Sequence, residues 1–288
     1  MEKTKNLTKK VTESALMVAL ATVLSMLKLI EMPYGGSVTL ASMLPIVIAA
    51  YRHGVGTGLA SGFTFAVIQQ LLGLNNLSYV SGWQSVVAVI LLDYVLAFTV
   101  LGLGGIFRGK LDTLVPDSSK RQGAELATGM VFVCILRYLC HTVAGATVWA
   151  GLSIPSGAAL AYSLGYNATY MIPEAMVSTL AIAYLGERVD FSRAVPQRFA
   201  PANGVSSQRG SGACELLGHI STLIAVFAIA FDTLIIAPKL QDAETGAFTF
   251  EYLSEVNWWL IIAISALSVA AICSLLVVKR RTERKDKK

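Results

Sequence analysis

A chain of 288 residues that is 55% hydrophobic, only 14% charged and has a mean hydropathy of +0.62 is too apolar to be a soluble domain. Its formal net charge of +5 does not point to nucleic acid, because the cations stand in short runs beside hydrophobic segments, where they act as topology signals. The composition places the chain in a lipid bilayer as an all-α integral membrane protein.

Eight apolar stretches are predicted as membrane helices, at 11–30, 39–50, 55–72, 85–107, 126–149, 162–185, 216–237 and 258–278. The first opens on polar Thr12, Glu13 and Ser14, and no small-residue cleavage site precedes Glu31, so it reads as a helix and not a secretory signal. It carries Ala15 and Ala19, a small-xxx-small pair that lets a second membrane helix approach closely. The second and third stretches are short and joined only by residues 51–54, which predicts a tight helical hairpin.

The fourth stretch runs into Gly104 to Lys110, which spells G-x-x-x-x-G-K. Leu111 stands where a nucleotide loop needs Ser or Thr, and the run ends a membrane helix instead of following a strand, so no nucleotide site is expected. Asn6, Asn76 and Asn167 lie in glycosylation sequons that matter only in a secretory pathway. The four cysteines have no metal-ligand spacing and read as small buried residues; no metal and no cofactor is expected. No strong internal repeat is visible.

Between 187 and 212 Arg, Pro, Gly, Ser and Gln replace the apolar pattern, which predicts a flexible cytoplasmic linker. The expected organisation is a six-helix membrane domain over 1–186, a linker over 187–212, and a two-helix transmembrane extension with a basic cytoplasmic tail over 213–288. Twenty of the 23 Lys and Arg residues fall on the side of the N-terminus, so the positive-inside rule puts both termini in the cytoplasm. An even number of crossings agrees.

Polar side chains inside these stretches carry the functional reading, since an ionisable group in lipid is costly unless it has a partner or a solute. Asp93 and His141 each lie eight residues from the outer ends of their stretches, about 12 Å below the outer surface at 1.5 Å per residue. Trp149 ends the fifth stretch on the same helical face as His141, and Tyr162 and Asn167 open the sixth, so all can face one outward cavity. A carboxylate, a ring of Tyr and Trp, a His and an amide suit a flat, cationic, hydrogen-bonding solute. Asp93 would neutralise its charge, Tyr94 and Trp149 would stack on its rings, and His141 and Asn167 would meet ring nitrogens or a hydroxyl.

Arg137 and Glu174 lie roughly level near mid-membrane. They are expected to form an ion pair that pins the fifth helix to the sixth beside Pro173 and makes the cavity floor. Asp232, in the seventh stretch, has no evident partner, and His53 and His219 are given no role.

The runs MPYGGSVTLASMLPIVIAAYRHG, LLDYVLAF, RYLCHTVAGATVWAG and YSLGYNATYMIPE, in this order and spacing, resemble the thiamine-specific S components (the ThiT or YuaJ family) of energy-coupling factor transporters. The resemblance covers about residues 7–186 and implies a six-helix bundle that captures thiamine from outside. It further implies work with a transmembrane coupling subunit and two cytoplasmic ATPases in a prokaryotic cell membrane, the chain itself hydrolysing nothing. By the same resemblance the family's acidic residue and following Tyr fall on Asp93 and Tyr94, its His on His141, its Gly on Gly145, its stacking Trp on Trp149, and its Tyr and Asn on Tyr162 and Asn167. Some members carry Glu where Asp93 stands, a base at Arg137 is common, and the first outer loop offers Tyr34 where some members use Trp. The Ala15 and Ala19 face resembles the docking surface for the coupling subunit. The family pattern ends near Gly186, which leaves the last hundred or so residues without a counterpart.

Three other readings fit the residues. A proton-coupled carrier of a small cationic heteroaromatic solute would use Asp93, Arg137 and Glu174 as a relay. An S component for another vitamin would keep the architecture and change the guest. A membrane-embedded enzyme would use His141 with Asp93 as acid and base, although no nucleophile constellation accompanies them.

Overall fold

The computed structural model describes residues 2–32, 35–80, 82–151, 156–199, 208–240, 242 and 249–285. Eight helices appear among them: α1 (Glu2–Met26), α2 (Leu44–His53), α3 (Val55–Leu72), α4 (Trp83–Phe107), α5 (Ser118–Gly151), α6 (Ser156–Arg188), α7 (Gln208–Ile236) and α8 (Trp258–Lys285). The last six are long and apolar enough to cross a membrane. The chain divides into two compact units, Met1–Phe199 and Ala200–Lys288.

The expectation of helices over 11–30 and 39–50 needs correction. The first helix stops at Met26, and strands β1 (Lys28–Glu31) and β2 (Ser37–Thr39) pair antiparallel in the loop that follows. Alternating Ser37, Val38 and Thr39 favour a strand, and helix α2 begins only at Leu44, with Pro45 supplying a preset helical φ in its first turn. With ten residues, α2 is about 15 Å long, half of a hydrocarbon core of roughly 30 Å. The hairpin that precedes this helix reaches deep enough into the unit for Thr39 to touch Glu174, near the midpoint of the 33-residue α6. Non-helical backbone at that depth is tolerable only inside protein or along a cavity, and Ile30, Met32, Val38 and Thr39 are accordingly buried.

Helix α4 is not a regular α-helix. Residues Val89–Leu96 are π-helical, and Val100–Phe107 tighten to 3-10 geometry. Gly102, just before the false nucleotide motif, and Gly105 within it belong to close backbone packing: a Cβ on Gly102 would lie 2.3 Å from the carbonyl carbon of Gly58 on α3, and one on Gly105 2.4 Å from the Ala50 carbonyl oxygen on α2. Small residues let these helices approach in lipid, where apolar side chains alone give no drive to associate. Helices α5 and α6 share the largest interface of the bundle and frame the site.

The other end of this unit, which carries most of the cations, is tied by buried polar contacts. Glu125 is 2% exposed and accepts from Tyr51 Oη (2.7 Å) and the Gly109 amide (2.8 Å). Glu13 on α1 meets Arg52 Nη2 at 2.8 Å and His53 Nε2 at 2.7 Å, so His53 is packed into the end of the bundle. After α6 the stretch expected to be linker begins with a hairpin, β3 (Val189–Asp190) and β4 (Gln197–Arg198). Arg52 donates to the Phe191 carbonyl at 2.8 Å and Gln122 to the Val189 carbonyl at 2.6 Å, holding this hairpin to the bundle. Partial burial works to raise the Asp190 carboxyl, but the Ser192 hydroxyl and Arg193 outweigh it and hold the group below its ordinary 3.8.

In the second unit α7 and α8 pack as an antiparallel pair. Asp232, without an evident partner in the sequence, accepts a hydrogen bond from Ser265 of α8 at 2.6 Å. Lys239 meets Glu255 at 2.6 Å.

Candidate functional site

Two facing stripes of side chains build the site. On α5, Arg137, His141 and Gly145 recur every four residues; on α6, Ser163, Asn167, Tyr170 and Glu174 recur at three or four. These spacings put each set on one face of its helix. A cavity of about 380 Å³ lies between them, α3, α4 and the β1–β2 hairpin, a size suited to one small molecule.

Gly145 sits at the closest approach, where a Cβ would fall 2.4 Å from Ser163 Oγ, so glycine is what brings the stripes together. Across the gap Asn167 donates to the carbonyls of Ser163 (2.8 Å) and His141 (3.3 Å) and accepts from Tyr170 Oη (2.6 Å). Its amide is thus fixed with the oxygen toward Tyr170. Asp93 and Tyr94 enter from the π-helical part of α4, a geometry that recurs at functional sites because it re-aims neighbouring side chains. Both line the cavity. The Tyr94 hydroxyl accepts from Asn76 at 2.9 Å and lies 3.2 Å from the Gly73 carbonyl, to which it donates.

The charged groups form one chain. Asp93 Oδ1 pairs with His141 Nδ1, Arg137 Nε donates to His141 Nε2 at 3.0 Å, and Arg137 Nη1 meets Glu174 Oε2 at 3.3 Å. Because a guanidinium can only donate, His141 Nε2 must accept, and the ring proton sits on Nδ1 facing Asp93. His141 is therefore neutral in this arrangement. Counted as two carboxylates and one guanidinium, this series holds one more anion than cation among the described residues, and Asp93, whose side chain is 33% exposed, is its end on the cavity; Lys28, which also lines the cavity, is paired with Glu31 at 2.5 Å. Arg137 is further held by the Phe98 ring, 4.4 Å from its guanidinium carbon.

Of the residues singled out in the sequence, Asp93, Tyr94, Arg137, His141, Gly145 and Asn167 line this cavity. Tyr162 does not. It lies on the same face one turn, about 6 Å, from Tyr166 toward the helix start. Tyr166 and Tyr170 line the cavity, and of these only Tyr170, three residues from Asn167, has a spacing that places it on the same face. Tyr34 and the side chain of Trp149 lie outside the described residues. Asp93 and Arg137 are joined through His141, which stands between them. Thr39 and Phe98 were not anticipated, since neither chain position stands out among apolar and hydroxyl neighbours. Ala15 and Ala19 are exposed on α1.

A profile described as thiamine transporter protein (Thia_YuaJ) matches residues 11–190. The chain belongs to the thiamine transporter family. Among its relatives, the thiamine transporter ThiT of Bacillus subtilis (strain 168) is 33% identical over 177 residues, 60% of this chain and 88% of that protein. The ThiT of Lacticaseibacillus paracasei is 28% identical over 181 residues, covering 62% and 80%. A solved structure of ThiT from Listeria monocytogenes superposes with a TM-score of 0.51 at 24% identity, over 64% of this chain and 95% of that one, and shows the shared fold. The family match ends inside the β3–β4 hairpin, so α7 and α8 lie beyond it. Family membership and the apolar spans make this a multi-pass membrane protein of a transport family.

Proposed function

We propose that this chain is the substrate-capture subunit of an energy-coupling factor importer and that its cavity binds thiamine. The excess negative charge of the polar series, at its Asp93 end among Tyr94, Tyr166 and Tyr170, carries the reading. A permanently cationic thiazolium would neutralise that charge, and aromatic faces favour cations in a dry site. Asn167 has both Nδ2 protons engaged, so its oriented Oδ1, which already takes the Tyr170 hydroxyl, is suited to accept from a guest amino group. Trp149 and Tyr162 are proposed to close over the guest from the ends of α5 and α6, and Tyr34 from the first loop.

In this reading the cation-rich end faces the cytoplasm, together with both termini, and the cavity loads from the opposite side. The exposed Ala15 and Ala19 face of α1 is proposed to dock a transmembrane coupling subunit that works with two ATPases. Residues 213–288 are proposed as an extension that takes no part in binding.

Titration of the purified protein with thiamine, its phosphates, riboflavin and biotin, read by calorimetry, tests the substrate. Saturable thiamine binding is expected; binding of riboflavin or biotin without thiamine overturns it. Ala15→Trp should leave thiamine affinity unchanged and abolish ATP-driven uptake with the reconstituted partners. A chain ending at Phe199 should bind thiamine as the full chain does. The proton-driven carrier is supported instead if the chain alone accumulates thiamine in liposomes bearing a pH gradient.

A further inference from the structure

We propose that Glu174 is a positioning residue that latches the β1–β2 hairpin over the cavity through Thr39, and that this latch sets how slowly the guest escapes. The inference rests on the thiamine reading for its kinetic readout. Glu174 is 0% exposed, and its two oxygens serve two different elements. Oε2 meets Arg137 Nη1 on α5 at 3.3 Å, while Oε1 accepts from the Thr39 hydroxyl at 2.6 Å. Ser42 Oγ, 2.8 Å from Thr39 Oγ1, steers that hydroxyl by donating to it, since Thr39 has one proton and gives it to the carboxylate.

The hairpin has a second fastening to the same helix just before β2. The Gly36 amide donates to Tyr166 Oη at 2.9 Å, and a Cβ at Gly36 would lie 2.7 Å from the Tyr170 ring. The hairpin is thus fixed to α6 at residues 36 and 39. Lifting it away would strip the hydroxyl from a fully buried carboxylate and leave that oxygen without a donor, which opposes opening.

The latch is also wired to the guest site. Thr39, Glu174, Arg137, His141 and Asp93 form an unbroken series of polar contacts from the hairpin to the carboxylate that faces the cavity. Glu174 orients Arg137, Arg137 fixes the His141 tautomer, and His141 holds Asp93. Seating the hairpin and aligning Asp93 are consequently one event, and a cation bound at Asp93 stiffens the same chain of contacts that holds the strand down.

Thr39→Val removes the hydroxyl at nearly constant shape, and Thr39→Ser keeps it. In stopped-flow fluorescence with thiamine, the full-length Val variant should release the vitamin about tenfold faster or more with an association rate within about twofold of wild type, and the Ser variant should match wild type. A spin label at the exposed Lys28 position, on a chain whose native cysteines are replaced, reads the hairpin without any guest; Val should mobilise it and Ser should not. Wild-type release and label mobility in the Val variant overturn the latch. Equal defects in Val and Ser also overturn it, assigning the effect to packing. If wild type fails to bind thiamine, the substrate reading falls while the label still decides the latch; if the Val variant does not fold, Glu174→Gln, which keeps an acceptor for Thr39 but loses the Arg137 charge pair, must mobilise the label less than Glu174→Leu.

Discussion

Both ends of the six-helix unit bury a carboxylate, and they use it in opposite ways. At the cation-rich end Glu125 has both oxygens occupied by neutral donors of its own chain: Tyr51 Oη on one, and the Gly109 and Leu111 amides on the other. At the hairpin end Glu174 is likewise filled, but Asp93, with Oδ1 alone engaged among the described residues, keeps an exposed face on the cavity. A buried acid saturated by its own fold holds helices together. One left partly unsaturated in a cavity recruits a cation from outside, because burial without a partner is costly.

The sharpest way to break this contrast is to neutralise each acid. Asp93→Asn should weaken thiamine binding about 30- to 100-fold, on the order of 2–3 kcal/mol, measured by calorimetry. An Asn variant that binds as tightly as wild type would show that charge is not what selects the guest. Glu125→Leu should do the reverse, lowering the melting temperature at a cost of about 1–3 kcal/mol from the unpaired Tyr51 hydroxyl and Gly109 amide, with affinity within about twofold of wild type. Gly145→Ala sharpens the geometric side: its Cβ would meet Ser163 Oγ at 2.4 Å, forcing α5 and α6 apart. A loss of about tenfold in thiamine affinity is expected from such overpacking.

The smallest effect concerns acid. Asp190 is held below 3.8 in the fold, so its contribution to the β3–β4 hairpin is full above that value and is lost as pH falls through the depressed one. Hydrogen exchange over residues 189–198, corrected for intrinsic rates, should accelerate only below about pH 3.8 while exchange in the α5–α6 core stays slow. Acceleration between pH 5 and 7 would place the controlling group elsewhere, His53 being the nearest alternative.

Much of this was legible because lipid penalises polar atoms. Asp93, Arg137, His141, Asn167 and Glu174 stand out in apolar stretches, and helical arithmetic brings the Arg137, His141 and Gly145 stripe opposite Asn167 and Glu174. The π-helical turn that carries Asp93 and Tyr94 was not legible, since VILLDYVL has the composition of any membrane helix and the widened turn arises from packing. The β1–β2 hairpin was missed for a related reason. Leu27, Leu29 and Ile30 are apolar enough to extend the preceding helix on paper, and only contacts distant in sequence, such as Thr39 with Glu174 and Gly36 with Tyr166, decide for strand. That Tyr166 and Tyr170 line the cavity was not legible, because the depth of the cavity along α6 depends on where the helix begins, and it begins at Ser156.

The half-length α2 has a consequence for biogenesis. A ten-residue helix preceded by strand cannot enter the bilayer as an autonomous segment, because it covers only about half of the hydrocarbon core and the outer edges of β1 and β2 find no hydrogen-bond partners in acyl chains. The hairpin's own seat is on α6, where Gly36 meets Tyr166 and Thr39 meets Glu174, 130 and 135 residues further along the chain. It can therefore settle only after α6 is in place, so that a segment made before the walls of the site is fastened after them.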